Sequence, residues 1–291
     1  DAATRWPRVR ELALAAQVIV SNTGDAGYRL DPQERVRLLD EPEHMPRSFP
    51  AKLLVLLHER WKLRPEAALS IYPCELVARN GEVLHGVVSQ LARELAAPPA
   101  FIAWLGQHCR WANSLVDRIV SEAIVPVGAV AEPYALWAVE RQPGLVLPCT
   151  HEAVVLTDDL ARHERLKLLL LNLGHTFLAE RWLQAGKPAG MTVLQAMRDE
   201  PLRAELEALW AEEVLPVFDA LGEREQALGY LEALRDRLLN PFLAHRLADI
   251  AQNHEQKKQR RFAPAVALAR EHGLSIRQPR LHAALQSTTL A

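Results

Sequence analysis

The segment that most constrains the fold is residues 166–175, L-K-L-L-L-L-N-L-G-H. Because it is apolar nearly all round, it predicts a helix buried on every side. Three polar residues interrupt it: Lys167, Asn172 and His175. At about 100° per residue of an α-helix, with Lys167 at 0°, Asn172 falls at about 140° and His175 at about 80°, so all three lie on one arc of the helix. Buried polar groups need partners, so this helix is predicted to form one wall of a polar or reactive site.

Each of these residues also has a structural interpretation. A lysine in an apolar run can extend its amine to water along its own stem. A lone histidine on such a helix is more often a satisfied core residue. The trio alone therefore leaves both interpretations open.

Composition sets broad limits on function. The chain has 291 residues, of which 49% are hydrophobic and 24% charged, with a formal net charge of −2. This is an ordinary globular composition, long enough for one large or two medium domains. The near-balanced charge gives no indication of a nucleic-acid partner. A solvated helix face explains the short basic run at 257–261 as well as phosphate binding does.

The sequence indicates a cytoplasmic protein. Its three cysteines are widely spaced and odd in number, which argues against a disulfide framework and for a reducing compartment. No run is long enough to span a membrane, and the first residues have no signal-peptide pattern.

Hydrophobic periodicity predicts a change of architecture along the chain. Up to about residue 125, strands alternate with helices, as in a parallel α/β sheet. Short strand-like pieces follow, and after residue 158 almost everything has helical spacing. We predict a domain of residues 1–125 and a mostly helical domain of 126–291. The predicted strands are 17–20, 69–74, 125–127, 135–139 and 153–156. The predicted helices are 9–16, 50–61, 82–96, 160–185, 193–199, 202–221, 226–239 and 241–260.

Several common catalytic motifs are missing from the sequence. Neither G-x-G-x-x-G nor G-x-x-x-x-G-K-[ST] occurs, so no glycine-rich phosphate loop is visible. None of the four His-Glu dipeptides completes H-E-x-x-H, and the cysteines lack metal-ligand spacing. No G-x-S-x-G elbow is present.

Six segments stand out in order along the chain: S-N-T-G-D-A-G at 21–27, S-F-P-A-K-L at 48–53, P-C-E-L with N-G at 73–81, L-V-D-R-I-V at 115–120, K-x4-N-x2-H at 167–175, and Asn240, Pro241, His245, Asn253, Lys257, Arg261 and Pro264. Together they resemble the polyol-specific long-chain dehydrogenase/reductase (mannitol dehydrogenase) family, and look most like its tagaturonate reductase (altronate oxidoreductase) branch.

The resemblance implies a partial Rossmann-like (doubly wound) α/β sheet followed by a mostly helical substrate domain. It also implies an NAD-dependent oxidoreductase that needs no metal and interconverts an alcohol and a ketone on a linear sugar acid or polyol. Lys167 would be the acid/base, because burial lowers a lysine pKa toward neutrality. Asn172 would donate to the developing oxyanion, and His175 would orient a substrate hydroxyl or hold the lysine.

The resemblance also suggests residues that bind substrate and cofactor. Asp117 and Arg118 would line the substrate site, where an arginine can grip a carboxylate with two parallel bonds; a structural ion pair is the alternative. Arg237 and Lys257 would reach the substrate from the helical domain, unless they are solvated helix charges. The loop beside the nicotinamide would comprise Ser21, Asn22, Thr23 and Asp25, for which ordinary turn chemistry is the alternative.

The chain departs from the family at its amino end. Relatives carry an additional strand and a glycine-rich turn for the pyrophosphate, whereas here the first recognisable strand is already the one before Ser21. We therefore expect an amino-terminally truncated member, which a second chain that supplies the missing strands could complete. The alternative function is a non-catalytic remnant that serves as a structural or interaction domain.

Overall fold

The chain forms two compact units. A computed structural model describes residues 2–24, 26–34 and 37–287. The first unit takes the residues up to Val116 together with Leu136–Leu160, and the second takes Asp117–Ala135 and the residues from Ala161 onward. The chain thus passes between the units three times, whereas the sequence predicted one boundary at residue 125. The difference arises because a hairpin folds with the helical unit while the strands after it return to the first unit's second sheet.

Three parallel strands form the first sheet of the first unit, in the order β1-β2-β3. All five residues of β2 are buried, as expected for a parallel strand covered on both faces. The predictions at 17–20, 69–74, 50–61 and 82–96 are confirmed, whereas β3 and α4 were not predicted. The elements are β1 (Val18–Ser21), β2 (Leu69–Pro73), β3 (Cys109–Trp111), α1 (Ala2–Ala15), α2 (Phe49–Leu63), α3 (Asn80–Glu94) and α4 (Pro99–Gln107).

A second three-stranded sheet has the order β4-β7-β8, formed by β4 (Ser114–Asp117), β7 (Leu136–Glu140) and β8 (Val154–Thr157). Between β4 and β7 lies the antiparallel hairpin of β5 (Val120–Ile124) and β6 (Gly128–Ala131). The predicted strand at 125–127 is wrong, because those residues form the turn of this hairpin.

The second unit is mostly helical. The predicted helices at 160–185 and 202–221 form, but each contains a π-helical turn, Lys167–Asn172 in the first and Trp210–Val214 in the second. The helices are α5 (Leu160–Leu166), α6 (Leu173–Gln184), α7 (Val193–Arg198), α8 (Glu200–Leu209), α9 (Leu215–Ala220), α10 (Arg224–Leu238), α11 (Leu247–Ile250), α12 (His254–Arg261), α13 (Ala263–Glu271) and α14 (Pro279–Gln286).

The single helix predicted at 241–260 is wrong. Residues 239–246 are not helical, and α11 and α12 are separate helices. Asn253 lies between them with φ 55°, in the left-handed region. A residue in that conformation cannot continue a right-handed helix, so the chain turns there.

Each unit has its own apolar core. In the helical unit the leucines of the π turn and α6 pack with Trp210 and Phe218. In the first unit, side chains of α2, α3 and α4 pack on Ile71 of β2. No helix in the described part of the chain combines the length and apolarity that a membrane span would need.

Gly174 is predicted to be required for the helical core. A Cβ at this position would lie 2.7 Å from the Trp210 ring, and Trp210 is only 1% exposed. Gly174→Ala should lower the free energy of unfolding by about 1–3 kcal/mol, as overpacking does. In the control Gly229→Ala, nothing lies within 4 Å of the added carbon, so stability should hold or rise by about 0.5–1 kcal/mol. Urea unfolding measures the free energy of unfolding of both variants. An unchanged free energy in Gly174→Ala would refute the close packing against Trp210.

Candidate active site

The polar trio Lys167, Asn172 and His175 lies on a π-helical turn and the start of the helix that follows it. Lys167 begins this turn and Asn172 ends it, and His175 follows one turn later in α6. Hydrogen bonds from i to i+5 place more residues in each turn than an α-helix does. Asn172 therefore comes closer to the face of Lys167 than the α-helical estimate allowed. Single π turns inside α-helices are frequent at functional sites.

Lys167 is buried, with 9% of its surface exposed. Burial lowers the pKa of its amine, Asp117 opposes that effect, and the charges of Arg237 and Arg261 lower the pKa further. A lysine acid/base needs a lowered pKa so that its neutral form is accessible. The environment thus favours the chemistry that the sequence predicted for this residue.

Arg237 binds two buried carboxylates at once. Its Nη2 lies 2.8 Å from Asp117 Oδ1 and 2.9 Å from Glu132 Oε1. Its Nη1 donates to Asp117 Oδ2 at 3.1 Å, and its Nε donates to Glu132 Oε2 at 3.0 Å. The side chains of all three residues are at most 5% exposed. Two bidentate pairs on one guanidinium match its planar fork.

Two tyrosines complete this cluster. The Tyr230 hydroxyl donates to Asp117 Oδ2 at 2.6 Å, and the ring of Tyr134 lies 4.0 Å from the guanidinium carbon of Arg237. Burial, reinforced by Asp117, raises the pKa of Tyr230 well above its usual value and that of Tyr134 to about 12. Both phenols are therefore neutral donors at physiological pH.

Arg237 is not the solvated helix charge that was the alternative for this residue. Its Nη1 also lies 3.4 Å from the Tyr230 hydroxyl, so each N–H of the guanidinium has a protein acceptor within 3.5 Å. Arg237 therefore holds Asp117 and Glu132 in place.

The alternative interpretation of Asp117 and Arg118 as an ion pair with each other does not hold, since Asp117 pairs with Arg237. Arg118 is exposed, and its Nε donates to the backbone carbonyl of Glu132 at 3.0 Å. Successive residues of an extended chain point to opposite sides, which separates the two side chains.

His175 packs against a second histidine. Its ring centroid lies 4.8 Å from that of His245, edge to face. Burial, with His245 next in effect, holds the pKa of His175 well below its usual value, so the ring is neutral. Its Nε2 is buried and has no hydrogen-bond partner among the described residues. The two rings line a small cavity together with Arg237 and Asn240.

The end of the π turn is tied to α12. Arg261 Nη1 donates to Thr176 Oγ1 at 2.9 Å and lies 3.4 Å from the carbonyl of Asn172. Lys257, one turn earlier in α12, is half-buried and donates to the carbonyl of Ile250 at 2.7 Å. One N–H of the Lys257 amine is thus bonded to the backbone. The positive charge of Arg261 acts on Lys167 and lowers its pKa.

In the first unit, the predicted cofactor loop follows β1 and is held by Glu75. Ser21 is buried, whereas Asn22 and Thr23 are exposed. The Glu75 carboxylate accepts from the Thr23 backbone N–H at 3.0 Å and from Thr23 Oγ1 at 2.8 Å. It also accepts from Ser21 Oγ at 3.1 Å. Asp25, the fourth residue predicted for this loop, lies outside the described residues.

The P-C-E-L and N-G motif has a structural role beside this loop. The Asn80 amide donates to the carbonyls of Pro73, Glu75 and Ser114 at 3.1, 3.1 and 2.8 Å. A Cβ on Gly81 would lie 2.5 Å from the backbone of Ala112. These two residues therefore fix the close approach of α3 to the ends of the strands.

Sequence reasoning missed several groups of the site. No local motif marks the residues that contact Asp117 and Arg237, which are Glu132, Tyr134 and Tyr230. Their roles become visible only through contacts between segments that are distant in sequence. Glu75 belongs to a recognised motif, but the motif gave it no role. Within residues 2–24, 26–34 and 37–287, no group of three or more His, Cys, Asp or Glu side chains is arranged to hold a metal ion.

The chain thus has one unit with a parallel α/β sheet and one mostly helical unit with a buried lysine. Sequence models of the mannitol dehydrogenase Rossmann domain and of the mannitol dehydrogenase C-terminal domain match residues 3–145 and 159–286. Together they take in nearly the whole chain, which belongs to the mannitol dehydrogenase family. The predicted resemblance is confirmed.

Curated relatives include altronate oxidoreductases from Halalkalibacterium halodurans and Klebsiella pneumoniae. Each is 32% identical to this chain, over 286 and 288 residues respectively. These matches cover 90% and 92% of this chain, but 53% and 57% of the relatives. The chain therefore spans about half the length of the curated relatives it matches.

Solved structures show the same fold. D-sorbitol dehydrogenase in substrate-free form matches with a TM-score of 0.76 at 20% identity, covering 94% of this chain and 60% of that one. The ternary complex of Pseudomonas fluorescens mannitol 2-dehydrogenase with NAD and D-mannitol matches with a TM-score of 0.73 at 19% identity, covering 98% and 62%. The predicted fold class, a Rossmann-like sheet followed by a mostly helical domain, is confirmed.

The ion-pair cluster predicts a large difference between two arginines on the same helix. Arg237→Leu would leave two buried carboxylates without their cation, which should lower the free energy of unfolding by about 3–5 kcal/mol. In the control Arg235→Leu, the lost partner is Glu207 at the surface, and the cost should stay below about 1 kcal/mol. Equal costs in chemical denaturation would show that the cluster contributes little.

Proposed function

We propose that this chain acts in an NAD-dependent oxidoreductase that interconverts a secondary alcohol and a ketone on a linear sugar acid or polyol, with altronate and tagaturonate as the favoured pair. The observation that carries the proposal is the burial of Lys167 on its π turn, near Asp117. Family membership and similarity to altronate oxidoreductases support the class of reaction and substrate.

In the proposed reaction Lys167 moves the proton at the reacting oxygen. For alcohol oxidation its neutral amine accepts the hydroxyl proton, and for ketone reduction its ammonium returns that proton to the carbonyl oxygen. Asn172 donates a hydrogen bond to the oxyanion that forms between these states. His175, neutral and held by His245, orients a neighbouring hydroxyl of the substrate.

The proposed substrate carboxylate binds Arg118. This guanidinium is exposed and keeps donors beyond the one used by Glu132, and it can bind a carboxylate through two parallel bonds. Arg237, by contrast, positions Asp117 near the lysine and is not proposed as a substrate ligand.

The residues of the first unit fit a nicotinamide cofactor. Ligands of parallel α/β sheets bind beyond the carboxyl ends of the strands, which is where Ser21, Asn22 and Thr23 follow β1. Exposed amide and hydroxyl groups there suit the polar edge of a nicotinamide riboside. When bound, the cofactor supplies or accepts the hydride, and this loop would orient it. The comparisons give no support to a second chain that completes the sheet.

Turnover of the protein with NADH and tagaturonate tests the proposal. Lys167→Met keeps the size of the side chain but removes the proton carrier, so kcat should fall by roughly 10²–10⁴-fold. Lys62→Met, at an exposed position of α2, should leave kcat unchanged. Equal turnover by the Lys167→Met variant and the parent would remove Lys167 from the mechanism. If the parent has no turnover, the non-catalytic alternative is favoured.

The pH dependence has a defined sign. Reduction uses the ammonium form, so its kcat/KM should fall as pH rises through the pKa of Lys167; oxidation uses the amine, so its kcat/KM should rise over the same range. Because burial lowers that pKa, both changes should be centred below the ordinary lysine value of about 10.4. Steady-state rates in both directions measure the two midpoints. A shared midpoint at or above that value would contradict the role of Lys167 as the acid/base.

A further inference from the structure

The Glu75 carboxylate joins two segments that are distant in sequence. Its Oε1 accepts both hydrogen bonds from Thr23, at 3.0 Å from the backbone N–H and 2.8 Å from the hydroxyl. Its Oε2 accepts from Ser21 Oγ at 3.1 Å and lies 3.2 Å from the Tyr28 hydroxyl. Glu75 is 3% exposed, and these donors are all neutral.

The contacts span both ends of the loop after β1. Ser21 is the last residue of β1, and Tyr28 follows the turn in which the Gly27 N–H bonds to the carbonyl of Gly24. The Tyr28 hydroxyl also lies 3.1 Å from the carbonyl of Asn80 at the start of α3. One buried carboxylate thus fixes where the loop leaves the strand and where it returns.

We propose that Glu75 is the positioning residue that sets the conformation of loop 21–24 for cofactor binding. Glu75 does not contact the cofactor; it acts through Thr23 and Ser21, which leaves the exposed Asn22 in a fixed orientation. Hydrogen-bond acceptance, rather than negative charge, is what the loop requires. The inference rests on the proposed function, because the ligand of the loop is the nicotinamide cofactor.

The two oxygens of Glu75 have different donors, Thr23 on Oε1 and the hydroxyls of Ser21 and Tyr28 on Oε2. Two substitutions can therefore separate acceptance from charge. In Glu75→Gln the amide oxygen can still accept both Thr23 bonds, and the NH2 group can donate to the hydroxyl oxygens of Ser21 and Tyr28. In Glu75→Met the shape is similar but every acceptor is lost. The matched control is Glu59→Met, which removes a partly buried ion pair with Arg10 in the same unit and costs stability without touching the loop.

NADH affinity from fluorescence titration should fall at least about tenfold in Glu75→Met, the equivalent of about 1.4 kcal/mol. It should change less than about threefold in Glu75→Gln and in Glu59→Met. At saturating NADH, the midpoint of the pH profile of kcat should stay at that of the parent, because Lys167 is untouched. Unchanged NADH affinity in Glu75→Met, or an equal loss in Glu59→Met, would overturn the inference.

Amide hydrogen exchange separates this inference from the proposed function. Glu75→Met should speed exchange at Thr23, whose N–H loses its acceptor, whereas Glu75→Gln should not. If the parent fails to bind NADH, the proposed function fails, and with it the cofactor role of the loop, while the exchange result still shows whether Glu75 orders it. Unchanged exchange at Thr23 in Glu75→Met would refute the positioning role in either case.

Discussion

The pairing of Arg237 with two buried carboxylates is the interaction on which the helical unit's polar centre depends. Buried charges are costly unless each has a partner of good geometry, and here one guanidinium serves both Asp117 and Glu132. This draws the end of β4, the segment after β6 and the helix α10 together. It also fixes Asp117 where its charge opposes the effect of burial on Lys167.

Within each unit, the residues that the family resemblance singles out are either held by protein partners or left available for chemistry. Arg237, Asn80 and Gly81 are occupied by protein partners and fix the positions of helices and strand ends. Lys167 is buried with a lowered pKa, while Asn22 and Arg118 face outward. A residue that belongs to a family motif therefore need not bind substrate or cofactor. Its burial and its bonds to other protein groups decide its role.

Much of the fold can be predicted from the sequence, because most of its helices and strands have local hydrophobic patterns of their own. The alternation of strand and helix before residue 96 and the helical spacing after residue 158 predicted most elements. Local patterns could not show that the hairpin at 120–131 folds with the helical unit, or that Asn253 breaks a helix. Nor could they find Glu132 and Tyr230, since those two reach Asp117 only through tertiary packing.

The proposed chemistry depends on whether burial keeps the Lys167 amine easier to deprotonate than a lysine in water. An NMR titration of the protein carrying lysine labelled at its ε carbon, with the Lys167 signal assigned by its loss in Lys167→Met, measures this directly. The structure predicts a midpoint clearly below the ordinary value of about 10.4. A midpoint at or above that value would contradict the account, because the site would then stabilise the ammonium and hold no base.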